Sequence, residues 1–181
     1  MAWSTSLVAE SCDWGVVKRG QRVSDMVAQT PDERILVVDA KAYKNPFDAS
    51  TPNLRALGEY VTLQKKRQSG QVEVSAALVV ADSFEQSAKQ LNEVSRVFTA
   101  EYRLPVGFMP VESLAELVQT LVARPWMRPS INWALLLCGG GLVSVADVRR
   151  ELASAESQRL PRDTTEPTPT SPTSRVSSRD P

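Results

Sequence analysis

Residues 34–43, RILVVDAKAY, carry the feature that most restricts the fold. The continuous apolar run Ile35–Val38 is typical of a strand buried on both faces. Asp39 and Lys41 follow it. Because side chains alternate along a strand, both lie on the same face as Ile35 and Val37. The sequence therefore predicts a core strand that ends with an acid and a base on an otherwise apolar face.

Composition limits the chemistry that is available. The 181 residues are 42% hydrophobic and 23% charged, which suits one globular domain with a tail. Histidine is absent, which excludes histidine triads, ligands and proton shuttles, and two cysteines are too few for a disulfide framework or a zinc cluster. The formal net charge is zero, so any nucleic-acid surface must be local. We find no signal peptide and no membrane-spanning run, and we expect a cytoplasmic location.

The order of patterns predicts an α/β domain over residues 1–155, with a mixed central sheet flanked by helices. Residues 156–181 are rich in Pro, Ser and Thr and nearly devoid of apolar side chains, so they are expected to be disordered. The predicted strands are Val16–Lys18, Arg22–Gln29, Arg34–Tyr43, Val72–Ala81 and Leu104–Pro110. The predicted helices are Asn53–Gln68, Ser83–Tyr102, Ser113–Ala123, Ile131–Cys138 and one capped by Ser144 that ends near Ser154, and Gly139–Gly141 predicts a chain break.

Asp25 lies on the strand before the core strand. If the loop between these strands is the three residues Pro31–Glu33, Asp25 falls opposite Asp39 on the same face, roughly 5 Å away. A loop of two or four residues, or a bulge, would separate the two carboxylates. Two anions this close repel each other unless a cation lies between them. Lys41 supplies one positive charge, and Mg²⁺ is the other natural solution.

Two carboxylates, a lysine and a divalent cation suit metal-assisted hydrolysis of a phosphodiester, which requires no histidine. The Asp-x-Lys pattern alone is common, however. The simplest alternative is an unrelated α/β protein in which Asp39 and Lys41 form a solvated ion pair at a strand end.

The segment RVSDMVAQTPDERILVVDAKAY resembles the active-site hairpin of the PD-(D/E)xK nuclease superfamily, and within it the FokI-type cleavage domains of type IIS restriction endonucleases. Val38–Tyr43 nearly reproduces the Val-Asp-Thr-Lys-Ala-Tyr of that family. The likeness continues in order over residues 20–153. It is carried by LGEYV (57–61), SAALVVADSFEQSAKQLNEVSRVF (75–98), PVESLAEL (110–117) and LVSVADVRREL (142–152).

The resemblance implies a restriction-endonuclease-like fold and a Mg²⁺-dependent endonuclease, with Mn²⁺ as a substitute, acting on double-stranded DNA. By position, Asp25 and Asp39 would bind the metal, the backbone carbonyl of Ala40 would add a ligand, and Lys41 would serve the attacking water. Ser24 departs from the proline of the family. The interval between the two aspartates is shorter than in the family, and the family's preceding helix and a sequence-recognition domain are not recognised.

A small basic cluster precedes Asp25 and one lysine follows the motif. If the active-site interpretation holds, these side chains are phosphate contacts; otherwise they are solvated surface charges. The residues are Lys18, Arg19, Arg22 and Lys44.

Arg55 and Glu59 occupy the positions where the family has an Asp and an Arg that join two protomers, with the signs exchanged. The resemblance therefore implies a transient homodimer in which the two residues pair across a two-fold axis. The alternative is an ion pair within one helix. A separate recognition subunit is a further expected partner. The competing function is a nuclease-derived fold that no longer cuts and serves as a binding or assembly module.

Overall fold

The computed structural model describes residues 11–14, 26–42, 44–67 and 73–158. These residues form one mixed six-stranded sheet with helices on both faces, which confirms the predicted α/β class. The strands are β1 (Ser11–Trp14), β2 (Met26–Gln29), β3 (Ile35–Lys41), β4 (Val74–Ala81), β5 (Val106–Pro110) and β6 (Gly141–Leu142). The helices are α1 (Thr51–Arg67), α2 (Ala88–Tyr102), α3 (Val111–Ala123), α4 (Trp133–Cys138) and α5 (Val145–Ser157), with a 3₁₀ helix at Pro125–Ser130.

The strands lie side by side in chain order. β1, β2 and β3 pair in antiparallel fashion, whereas β3, β4, β5 and β6 are parallel. β3 is therefore the strand at which the sheet changes direction. Its apolar run is buried on both faces because helices cover both faces of the sheet.

Each face of the sheet has its own apolar core. α1 and α2 cover one face, where Val37, Leu57 and Phe98 are buried. α3, α4, α5 and the 3₁₀ helix cover the other face, where Leu36 and Trp133 are buried. β3 contributes alternate residues to the two cores, as its strand periodicity requires.

α2 begins at Ala88, five residues later than the predicted Ser83. The reason is local: the Ser87 hydroxyl accepts from the Gln90 amide, and the Gln90 side chain accepts from the Ser87 amide. This capping box starts the helix. Phe84, which was predicted to belong to the helix, instead forms a parallel β-bridge with Phe47.

The remaining differences concern short elements. β1 and β6 were not predicted, and β6 begins at Gly141, the last residue of the predicted glycine break. The cap at Ser144 is confirmed, since its hydroxyl accepts from the Asp147 amide and Asp147 accepts in return from the Ser144 amide. The predicted strand Val16–Lys18 lies outside the described residues, as does the predicted disordered tail from residue 159 onward. Residues 156 and 157, which were assigned to that tail, instead belong to the last turn of α5. No helix in the described part of the chain has the length and apolar character needed to cross a bilayer.

Ser113→Ala is expected to raise the free energy of unfolding by about 1 kcal/mol. Ser113 in α3 is fully buried, and its Oγ has no hydrogen-bond partner among the described residues. An unmatched buried hydroxyl is destabilising, and alanine removes it. Urea denaturation measures the change.

Ser154→Ala is the matched control, because Ser154 is exposed on α5 and gains the same helix propensity without any change in burial. Equal stabilisation in both variants would contradict the explanation from burial.

Candidate active site

A tight turn joins β2 to β3. The Thr30 amide donates to the carbonyl of Arg34 at 2.9 Å, and the Glu33 amide donates to the carbonyl of Thr30 at 2.9 Å. Pro31 directly follows Thr30, at the second position of the turn, which proline favours because its ring fixes φ. Glu33 takes a left-handed φ of 64°. These bonds confirm the predicted three-residue loop.

The turn sets the register of the hairpin. Met26 lies opposite Val38, the register that a three-residue loop predicts. Asp25 lies outside the described residues, so its predicted place opposite Asp39 stays a prediction. The predicted basic residues before it also lie outside the described residues: Lys18, Arg19 and Arg22.

Asp39 is a buried carboxylate near the end of β3. The residue is 3% exposed and lies opposite Val79 of β4 in the middle of the parallel pair. Strand alternation places it on the face where Ile35 and Val37 join an apolar core. A carboxylate buried in this way is costly unless a charge or hydrogen bonds compensate it.

Lys41 supplies a compensating charge. Its Nζ lies 2.7 Å from Oδ2 of Asp39, and the two side chains are 19% and 4% exposed. The solvated ion pair of the simplest alternative is therefore not what the structure contains. The ammonium also lies 5.9 Å from the centre of the Phe47 ring, within the range of a cation–π contact. An acid and a base are held in contact at the boundary between core and solvent.

The pair sits at the edge of the sheet where the parallel strands end. Lys41 lies opposite Ala81, the last residue of β4, and Ala81 lies opposite Pro110, the last residue of β5. Open α/β sheets bind their ligands outside this carboxyl edge. Lys44 lies three residues beyond the end of β3 and is exposed, so a phosphate group can reach it, as its predicted role requires.

The oxygen donors at this edge suit a hard cation. The Asp39 carboxylate and the backbone carbonyl of Ala40 are ligands of the kind that Mg²⁺ prefers. Among the described residues, no group of three or more Asp, Glu, His or Cys side chains is arranged to bind a metal. The third predicted ligand, Asp25, lies outside the described residues, so the magnesium site stays a prediction.

Phe47 contacts this site, although no pattern in the sequence predicts it. The residue is 4% exposed. Its amide donates to the carbonyl of Ser83 at 2.8 Å, its carbonyl accepts from the Glu85 amide at 3.1 Å, and its ring meets that of Phe84 edge to face. These partners lie more than thirty residues away along the chain, so local patterns could not predict the contact.

Arg55 and Glu59 lie on α1. Arg55 is exposed and lines a groove of about 250 Å³ between α1 and α2, whereas Glu59 is half-buried. Tyr102 lines the same groove, and burial raises the pKa of its hydroxyl. Arg55 thus lies beside this groove, and the predicted dimer contact stays a prediction.

One comparison with known proteins gives a match. The sequence profile of the FokI cleavage domain matches residues 3–136, a span that includes the hairpin, the Asp39–Lys41 pair and both helices of the groove. The match places the chain in the class of DNA endonucleases. More particularly, the chain belongs to the family of FokI cleavage domains. Neither a curated protein nor a solved structure matches it.

The matched span differs at both ends from the resemblance in the sequence. It begins at residue 3, so it includes residues ahead of the hairpin that the resemblance left out. It ends at residue 136, within α4, and leaves out the likeness carried by α5.

Lys41→Met is expected to lower the free energy of unfolding by about 1–3 kcal/mol, because the buried Asp39 loses a charged partner. Adding Asp39→Asn should recover part of the loss, since the residue left in the core is then neutral. Urea denaturation of the two variants measures both effects.

Arg34→Met is the control for this prediction. Arg34 pairs with Asp32 at 2.8 Å, but the two side chains are 41% and 39% exposed. An exposed pair contributes about 0–1 kcal/mol. If both methionine variants lost the same stability, the argument from burial would be wrong.

Proposed function

We propose that the chain is a Mg²⁺-dependent endonuclease that hydrolyses phosphodiester bonds in double-stranded DNA. We further propose that it is a cleavage domain whose sequence recognition comes from a separate subunit. The observation that supports this is the buried ion pair between Asp39 and Lys41, 2.7 Å apart at the carboxyl edge of the sheet, in a chain that belongs to a nuclease family. An acid and a base held at this edge are suited to chemistry on a ligand there.

The proposed metal ligands are the carboxylates of Asp25 and Asp39 and the backbone carbonyl of Ala40. A divalent ion bound there would polarise the phosphoryl oxygen as a Lewis acid, and Mn²⁺ is expected to replace Mg²⁺. The register from Met26 to Val38 supports this set, because its continuation by one residue on each strand would pair positions 25 and 39.

The proposed role of Lys41 is to orient the attacking water. The Nζ carries several donor protons, so it can keep its bond to Asp39 and also bind a water oxygen. In the reaction this oxygen forms a new bond to phosphorus, and the bond from phosphorus to the leaving sugar oxygen breaks. The attacking water gives one proton to bulk water, and the leaving sugar oxygen takes one from bulk water. The proposed phosphate contacts that hold the backbone in place are Lys18, Arg19, Arg22 and Lys44.

Purified protein at high concentration is expected to nick supercoiled plasmid when Mg²⁺ or Mn²⁺ is added, and to lose this activity with EDTA. Lys41→Ala should reduce the rate by at least about 100-fold, the order that general acid–base and positioning groups contribute. Gel separation of supercoiled, nicked and linear plasmid gives the rates. Lys66→Ala is the control, since Lys66 is exposed on α1.

Calorimetric titration with Mg²⁺ and Mn²⁺ makes the test decisive where cleavage needs the recognition subunit. The protein should bind Mg²⁺ or Mn²⁺, and Asp39→Asn should abolish this binding. A protein that neither nicks plasmid nor binds either ion would be the inactive binding or assembly module instead.

We propose, second, that the protein cuts both strands as a transient homodimer through α1. The support is the exposure of Arg55 and its place beside an open groove, which Val97 also lines with 53% of its surface exposed. Reciprocal pairing of Arg55 with Glu59 of a second copy would satisfy a two-fold axis.

Arg55→Glu is expected to slow the formation of linear plasmid far more than the formation of nicked plasmid, because only double-strand cutting needs two copies. Adding Glu59→Arg restores the opposite charges and should restore linear product. Lys66→Glu makes the same charge change on the same helix and should have little effect. Failure of the double variant to recover would rule out this pairing.

A further inference from the structure

Residues 44–50, between β3 and α1, are bound to the chain after β4 at two points: by the backbone of Phe47 and by the side chain of Gln86. The amide of Ala49 donates to Oε1 of Gln86 at 2.9 Å, and Nε2 of Gln86 donates to Oδ1 of Asp48 at 2.6 Å. Both ends of the glutamine amide are thus engaged. Two residues of the segment, 48 and 49, are held by a residue 37 or 38 positions away.

Asp48 is a charged acceptor in this arrangement. Hydrogen bonds from Ser50 and from Gln86 lower the pKa of its carboxyl, so it is ionised at neutral pH. A neutral glutamine is the partner that can donate to this carboxylate and accept from the neighbouring amide at the same time. The side chain at position 86 is therefore matched to its two partners.

Phe47 lies between the residues that Gln86 binds and the candidate active site. It is adjacent to Asp48, and its ring lies 5.9 Å from Nζ of Lys41, which in turn lies 2.7 Å from Asp39. The Phe47 ring is edge-to-face with Phe84, two residues before Gln86. A shift of this segment would therefore move the surface against which the Lys41 ammonium rests.

We propose that Gln86 is a positioning residue for the cleavage reaction: by fastening residues 48 and 49 it fixes the Phe47 ring, which sets where the Lys41 ammonium lies relative to Asp39. The inference rests on the proposed nuclease function. Reacting groups must be held to within about 0.5 Å. Among the described residues 44–50, the bridge at Phe47 is the one strand pairing, and its two backbone hydrogen bonds hold the Phe47 backbone. The Gln86 bonds hold the two residues that follow it.

The test exchanges donor and acceptor between the two partners. Gln86→Glu keeps the acceptor for Ala49 but places a second anion against the Asp48 carboxylate. Adding Asp48→Asn supplies an amide donor to the new carboxylate and restores the bond with its direction reversed. Gln119→Glu, at an exposed position on α3, is the matched control for the added charge.

Two readouts are taken on each variant. The first is the nicking rate of supercoiled plasmid with protein in excess, together with the affinity for plasmid in the presence of Ca²⁺ in place of Mg²⁺. The second is the ¹H–¹³C resonance of the Lys41 ε-methylene in protein with ¹³C-labelled lysine, assigned by its loss in Lys41→Arg. The ring current of Phe47 displaces this resonance, so it reports the contact without any cleavage.

We expect Gln86→Glu to slow nicking about tenfold to a hundredfold, the scale of a small misplacement of reacting groups, with plasmid affinity unchanged. The Lys41 resonance should move toward that of a free lysine. The double variant should restore both readouts, and Gln119→Glu should change neither. A merely structural glutamine would lower the melting temperature without moving the Lys41 resonance.

The inference is overturned if Gln86→Glu leaves the Lys41 resonance in place, or moves it without slowing nicking. It is also overturned if the double variant melts like wild type but recovers neither readout. If wild-type protein neither nicks plasmid nor binds Mg²⁺ or Mn²⁺, the proposed function fails. The resonance then still decides whether Gln86 positions Lys41.

Discussion

The register between β2 and β3 is the constraint on which the site depends. Side chains alternate along a strand, so a slip of one residue would turn Asp39 and Lys41 onto the opposite face of the sheet. The turn at Thr30 prevents this slip, because its two backbone hydrogen bonds close a loop of fixed length. A short polar segment thus determines which of the two apolar cores receives the buried charges, and hence which surface loops surround them.

Much of this arrangement is readable from the sequence because its causes are local. The apolar run of β3 predicts burial on both faces, and Pro31 and its neighbours predict the turn and register that the structure contains. The α/β class follows from the order of strand and helix patterns. The pairing of Asp39 with Lys41 follows from their spacing alone, although the depth of its burial depends on the helices packed above it.

The parts that could not be predicted depend on contacts between distant segments. Phe84 has helical spacing with the residues that follow it, yet it joins Phe47 in a β-bridge, and the capping box at Ser87 begins the helix after it. Gln86 reads as an ordinary polar residue until the chain brings it to Asp48. Asp39 and Lys41 can therefore be predicted from residues 34–43 alone. The contacts of the loop residues around them can be known only from the folded structure.

The change of strand direction at β3 has a consequence for the order of assembly. Its antiparallel partner is near in sequence, with Met26 opposite Val38, whereas its parallel partner is remote, with Asp39 opposite Val79. Short loops close at a lower entropic cost, and hairpins form in about 1–10 μs. The hairpin edge of β3 is therefore expected to form while its other edge is still hydrated. On that route Asp39 and Lys41 meet in water, and the cost of desolvating them arises only when β4 docks.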